Sequence, residues 1–165
     1  MWPLIADLYT PVLGGLVFGV AYRAKYLKAV VFMLLVSFGL IFGFSALEHY
    51  LGLWRSWGLD YSTHTAVLLP LYQSLWALAL LPVADKPSVR PWLISLTGLM
   101  VLVVALLSGA GYGLLMMELD YHTFADILTT VVSTYPLVWI SFRLMGNLFD
   151  HDQAKEAAAA NKIVS

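Results

Sequence analysis

Three of the four histidines, His49, His64 and His122, fall in stretches that also hold Glu48, Asp60, Glu118, Asp120 and Asp126. These residue types exchange protons, receive anions or hold metals. An imidazole oriented by a carboxylate is a base or nucleophile of the kind that builds covalent intermediates. Imidazoles with a carboxylate also suit zinc, copper and iron, so His49, His64 and His122 form a candidate metal or haem set. Their spacing is not that of a local metal motif. His122 and Asp126 are four residues apart, which would place both on one helical face. There are no cysteines, which removes disulfides, thiolate metal sites and a thiol nucleophile.

The elements that must position these residues are set by composition. The chain has 165 residues, 61% hydrophobic and 12% charged, with a mean hydropathy of +0.81. Soluble domains carry about 25% charged residues. Half that charge leaves too little polar surface for water, and lipid is the natural solvent for the excess. A bilayer core of roughly 30 Å needs about 20 apolar helical residues. Segments 3–22, 29–47, 65–84, 92–117 and 123–142 meet this, so the sequence predicts an all-α integral membrane bundle of about five transmembrane helices. Residues 1–147 would form one transmembrane domain and 148–165 a short cytoplasmic tail. That tail would be solvated, with Ala157 to Ala160 favouring helix and Asp150 or Asp152 as its cap. The first segment carries Asp7, Pro11 and Gly14-Gly15, which favour a kink or a short span. It lacks a basic stretch and reads as the first helix rather than a cleaved signal.

Alternating spans place Arg23, Lys25, Lys28, Lys86, Arg90, Arg143, Lys155 and Lys162 on one side and only Arg55 on the other. Basic loops stay cytoplasmic. The expected orientation is N-terminus outside and C-terminus inside, in a membrane such as the bacterial inner membrane. The histidine–carboxylate set then faces outward, at the ends of the third to fifth spans. Above it lies the longest connection, from Glu48 to His64, with Tyr50, Trp54, Trp57 and Tyr61 as interfacial aromatics. A net charge of −1 gives no support for nucleic-acid binding. Ionisable residues at membrane depth default to a functional role. Capping is the alternative role for Asp126, and a hydrogen bond to a neighbour is the alternative for each histidine.

Two motifs carry a family resemblance. Tyr61-Ser62-Thr63-His64-Thr65-Ala66 resembles the Pro-Ser-Gly-His motif of the phosphatidic acid phosphatase type 2 superfamily. Tyr121-His122-Thr123-Phe124-Ala125-Asp126 resembles the His-x-x-x-Asp end of its third motif. The resemblance implies His122 as nucleophile, Asp126 as its orienting carboxylate and His64 as the acid for the leaving group. Leu115 and Met116 stand where that family has Ser-Arg. Lys86 and Arg90-Pro91 follow His64 on the opposite side, so Arg55 is the one outer cation for a phosphate. With Asp60 and Glu118 it completes the candidate substrate-binding set. Asp60, His64, Tyr112 to Glu118 and Asp126-Ile127-Leu128 also resemble the VanZ-like membrane proteins, which implies Asp60, His64, Glu118 and Asp126 as a polar core. Pro136 to Asn147 resembles the arginine helix of ATP synthase subunit a, although Arg143 reads better as an interfacial anchor.

Three functions follow as expectations: a non-catalytic subunit of a larger membrane complex, a cell-envelope protein with an outward His/Asp site for a lipid-linked phosphate, or a metal- or haem-binding subunit.

Overall fold

A computed structural model describes residues 2–84 and 91–164, with side chains at 2–80 and 96–144. The described chain is all helical: α1 (Trp2–Arg23), α2 (Leu27–Leu51), α3 (Leu53–Ser56), α4 (Thr63–Ala84), α5 (Pro91–Glu118) and α6 (Phe124–Val164). The expected connection around Lys86 falls outside the described residues.

Among the described residues, four helical segments are long and apolar enough to cross a membrane: Trp2–Arg23, Leu27–Leu51, Leu96–Glu118 and Phe124–Leu144. The outside of the bundle is apolar and the inside is partly polar. Leu99, Met100, Val104, Leu106 and Leu107 of α5 are exposed, while Ser37, Ser74, Thr130, Thr134 and Ser141 are buried. Water would enforce the reverse arrangement; lipid accepts this one. α4 is the hub. It packs against α1, α2, α5 and α6. Gly98 lets α5 approach it closely, since a Cβ there would stand 3.1 Å from a Leu80 methyl, and the Trp76 indole donates to the Gly98 carbonyl at 3.1 Å.

The ends of the helices are built from local hydrogen bonds. After α1, Lys25 adopts a left-handed φ of 65°, and Tyr26 N–H returns to the Ala21 carbonyl at 2.9 Å. This is the Schellman closure, which satisfies carbonyls left open at a helix end. The same closure ends α5, with Asp120 at φ 56° and Tyr121 N–H on the Met116 carbonyl at 3.0 Å. After α3 it uses Gly58, at φ 71°. Despite Pro11, α1 is unbroken.

The last apolar span is Phe124–Leu144, close to the expected 123–142. One expectation about this helix changes: α6 continues beyond the span to Val164, so Asp150 and Asp152 lie within it rather than capping a separate helix. Alanines favour continuation, and no proline follows Pro136. On this helix the Arg143 guanidinium sits 4.8 Å from the Trp139 ring, a cation–π contact.

Candidate functional site

The connection between α2 and α4 is laid onto a polar stripe of α6. Asp126, Thr130 and Thr134 recur every four residues and so line one face of the helix. Each receives a group from the connection. The Asp126 carboxylate accepts Asp60 N–H at 2.7 Å. Thr130 Oγ1 accepts Ser62 N–H at 3.0 Å, and Thr134 Oγ1 pairs with the Tyr61 hydroxyl at 2.8 Å. Burial pushes the Tyr61 phenol up, ahead of the opposing hydrogen bond from Thr134, so it stays neutral. Trp54 adds a fourth tie, donating its indole N–H to Thr129 Oγ1 at 3.1 Å. Phe44, Trp54 and Tyr61 meet edge to face around these bonds. Ser62 then caps α4, its Oγ accepting Thr65 N–H at 3.3 Å.

This geometry gives Asp126 its role. Thr123 N–H and Thr123 Oγ1 both donate to its second carboxylate oxygen at 2.7 Å, and Asp126 N–H returns to Thr123 Oγ1 at 3.3 Å. That is a reciprocal capping box at the start of α6. With Asp60 N–H on the other oxygen, the carboxylate fastens the connection to the helix. His122 lies one residue before the cap, outside the helix. Helical periodicity therefore does not stack it over Asp126, as the four-residue spacing predicted.

The carboxylate that faces His122 is Asp60. Its Oδ2 stands 3.6 Å from His122 Nδ1, too far for a hydrogen bond. Nδ1 is buried and has no hydrogen-bond partner. The His122 side chain is 10% exposed, whereas that of Asp60 is 76% exposed. Burial holds the imidazole below its ordinary pKa, with Asp60 and Asp126 pulling the other way and His64 adding to the depression. The desolvation outweighs the attraction because Asp60 is hydrated, and hydrated charges interact weakly. The ring of His64, exposed at the start of α4, lies 6.4 Å from that of His122, centroid to centroid. The structure thus groups His64, His122 and Asp60, with Asp126 beneath as the fastening.

The other expected residues stand apart. His49 and Arg55 line a cavity of about 50 Å³ with Glu48 and Asp60. Glu48 is committed to Trp54 N–H at 3.0 Å. Glu118 and Asp120 are exposed at the end of α5. Among the described residues, no three His, Asp or Glu side chains are arranged to hold a metal ion, so His49, His64 and His122 do not form one ligand set.

Two features escaped the sequence reading. Thr130 and Thr134 were legible as a period-four continuation of Asp126. Asp7, read there only as a weakness in the first helix, lines a groove of about 310 Å³ between α1, α2 and α4, opposite Thr63 and His64. Below it, Tyr9 hydrogen-bonds both Tyr72 and Ser108, joining α1, α4 and α5. Its ring stacks on Tyr112 at 4.5 Å.

No family model, curated protein or solved structure matches the chain.

Proposed function

We propose that this is a small multi-pass membrane protein that holds a lipid-linked phosphate between His64 and His122 on its outer face. α4 is the fifth span in this reading. Its 22 residues reach about 33 Å at 1.5 Å per residue, enough for a bilayer core, and Thr65 and Ser74 within it are buried. The distribution of Lys and Arg supports an outer N-terminus and a cytoplasmic C-terminus, as in a bacterial inner membrane.

The observation that carries the reading is the imidazole pair 6.4 Å apart, one ring with a buried nitrogen that lacks a partner. Two imidazole edges at this spacing can each donate to a different oxygen of one phosphate. A buried nitrogen without a partner loses free energy until a donor, acceptor or ion meets it. His64 is open to the outside, and Asp60 stabilises the proton that His122 takes up when an anion arrives.

The role is binding rather than turnover. A phosphoryl transition state needs cationic clamps, and Arg55 is the only fixed cation assigned to this side. It lines the neighbouring cavity with His49 and not the imidazole pair.

The test is binding of short-chain phosphatidic acid to purified protein in detergent, read by native mass spectrometry, with diacylglycerol as the control. Wild type should bind the phosphate lipid selectively. His64→Gln and His122→Gln should each weaken it about tenfold, the loss of one charge-assisted hydrogen bond. Equal binding of both lipids, or unchanged affinity in both variants, overturns the reading. The competing role as a complex subunit predicts a stoichiometric partner chain and histidine variants without effect on lipid.

A further inference from the structure

Asp7 is a carboxylate on the side of a spanning helix, exposed toward a groove. Among the described residues it has no hydrogen bond and no ion pair. An ionisable side chain on a spanning helix defaults to a functional hypothesis, with a partner to be named. The groove supplies a geometry for that pairing. Asp7 and Thr10 line its α1 wall and Thr63 and His64 its α4 wall, while Phe42 and Val67 give it apolar surface. Its 310 Å³ lies at the lower end of the range for ligand sites, about 300–1,000 Å³. It therefore suits a headgroup and the first part of a chain, not a large glycan. His64 belongs both to this groove and to the imidazole pair, so one side chain serves both sites.

A ligand that bore only negative charge would meet repulsion from Asp7. One that bore only positive charge would leave the imidazoles unused. From this juxtaposition we infer that the ligand is a zwitterionic lipid, with its phosphate at His64 and His122 and its ammonium at Asp7. The inference rests on the phosphate reading above and names the headgroup class for that site. Two of the groove's walls, α1 and α2, are apolar enough to span a membrane, and Phe42 in its lining is exposed. The source is therefore the bilayer rather than a soluble phosphate ester.

Three short-chain probes separate the contributions: phosphatidylethanolamine, with phosphate and ammonium; phosphatidic acid, with phosphate alone; and diacylglycerol, with neither. Each is titrated into full-length protein in detergent and the bound fraction is read by native mass spectrometry. Wild type should prefer phosphatidylethanolamine to phosphatidic acid by about three- to tenfold, the range for a partly hydrated ion pair. Asp7→Asn should erase that preference and leave phosphatidic acid bound at least as well as before. Asp7→Glu keeps the charge and should keep the preference, which guards against a folding defect in the asparagine variant. His64→Gln should weaken both phosphate lipids together. If phosphatidic acid binds and phosphatidylethanolamine gains nothing from Asp7, the ammonium site is refuted while the phosphate site stands. If His64→Gln changes neither lipid, or neither binds above diacylglycerol, the phosphate reading fails and this inference fails with it.

Discussion

Replacing Asp126 with asparagine should loosen the connection around Asp60, while Trp54, Tyr61 and Ser62 keep their ties to α6 and the helix start stays intact. The carboxylate, 6% exposed, accepts one hydrogen bond from Asp60 N–H and two from Thr123, all at 2.7 Å. Asparagine offers one oxygen and one NH₂ in the same plane. The oxygen will turn toward Thr123, where two donors converge and the capping box already holds the geometry. The NH₂ then faces Asp60 N–H, donor against donor. What is lost is a hydrogen bond to a charged acceptor, about 1.5–3 kcal/mol, in a place too buried for water to replace it readily. Every 1.4 kcal/mol is a factor of ten, so amide exchange across residues 57–62 should accelerate by about ten- to a hundredfold. Hydrogen exchange with mass spectrometry, on protein in lipid nanodiscs, reads this peptide by peptide. The Thr123 amide should keep its protection. Unchanged exchange at 57–62, or loss of protection at Thr123 without loss at Asp60, would refute the assignment of Asp126 as the fastening. Loss of lipid binding without faster exchange would give Asp126 a direct part in the site instead.

His122 should make lipid binding pH-dependent. Its folded pKa lies below the ordinary imidazole value, so the free site is neutral at pH 7 and takes up a proton as an anion binds. Affinity for a phosphodiester lipid, whose phosphate does not titrate in this window, should rise as pH falls from 7.5 to 5.5. The slope is bounded by about tenfold per pH unit for one proton, and the rise should level off below the pKa of the free site. Asp60, Asp126 and His64 all face this ring, so His122→Gln is the control that should lower the slope; a flat wild-type profile would contradict the assignment. Thr130→Val should cost about 1–3 kcal/mol, because it leaves Ser62 N–H buried without an acceptor, whereas Thr130→Ser should cost under about 1 kcal/mol; thermal unfolding in detergent separates them. Trp54→Phe should cost about 1 kcal/mol for the lost bond to Thr129, and Trp54→Ala about 3–5 kcal/mol for the emptied aromatic cluster. Equal melting shifts for the two would place the stabilisation elsewhere.

The membrane character was legible because the excess of leucine, valine and alanine has no aqueous solution. The proximity of His64 and His122 was legible from the order of apolar segments, since two helix starts on one side of a bundle meet if the connections are short. The role of Asp126 was not. Its spacing from His122 fits a shared helix face, and its spacing from Thr123 fits a cap. Only the place where α6 begins decides between them, and helix starts are the weakest part of a pattern reading. The seat of the connection was hidden for a different reason. Tyr61 reaches Thr134 and Ser62 reaches Thr130 across 73 and 68 residues of chain, and no local pattern encodes that pairing. Asp7 misled because a carboxylate in an apolar segment reads as a defect until the opposite wall of its groove is known. The alanine run of the tail was read as helix-favouring, but Asp150 and Asp152 suggested a fresh start there, and no local signal showed that α6 runs through them unbroken.

The central claim is that His64 and His122 act as one receptor for a lipid phosphate. It is tested most directly by nitrogen NMR of protein carrying ¹⁵N-labelled histidine, in micelles titrated with a short-chain phospholipid. The account predicts that the ring nitrogens of His64 and His122 shift together, with His122 moving toward the imidazolium form, while His49 stays where it was. Shifts confined to His49, or a titration that leaves both His64 and His122 unmoved, would contradict it.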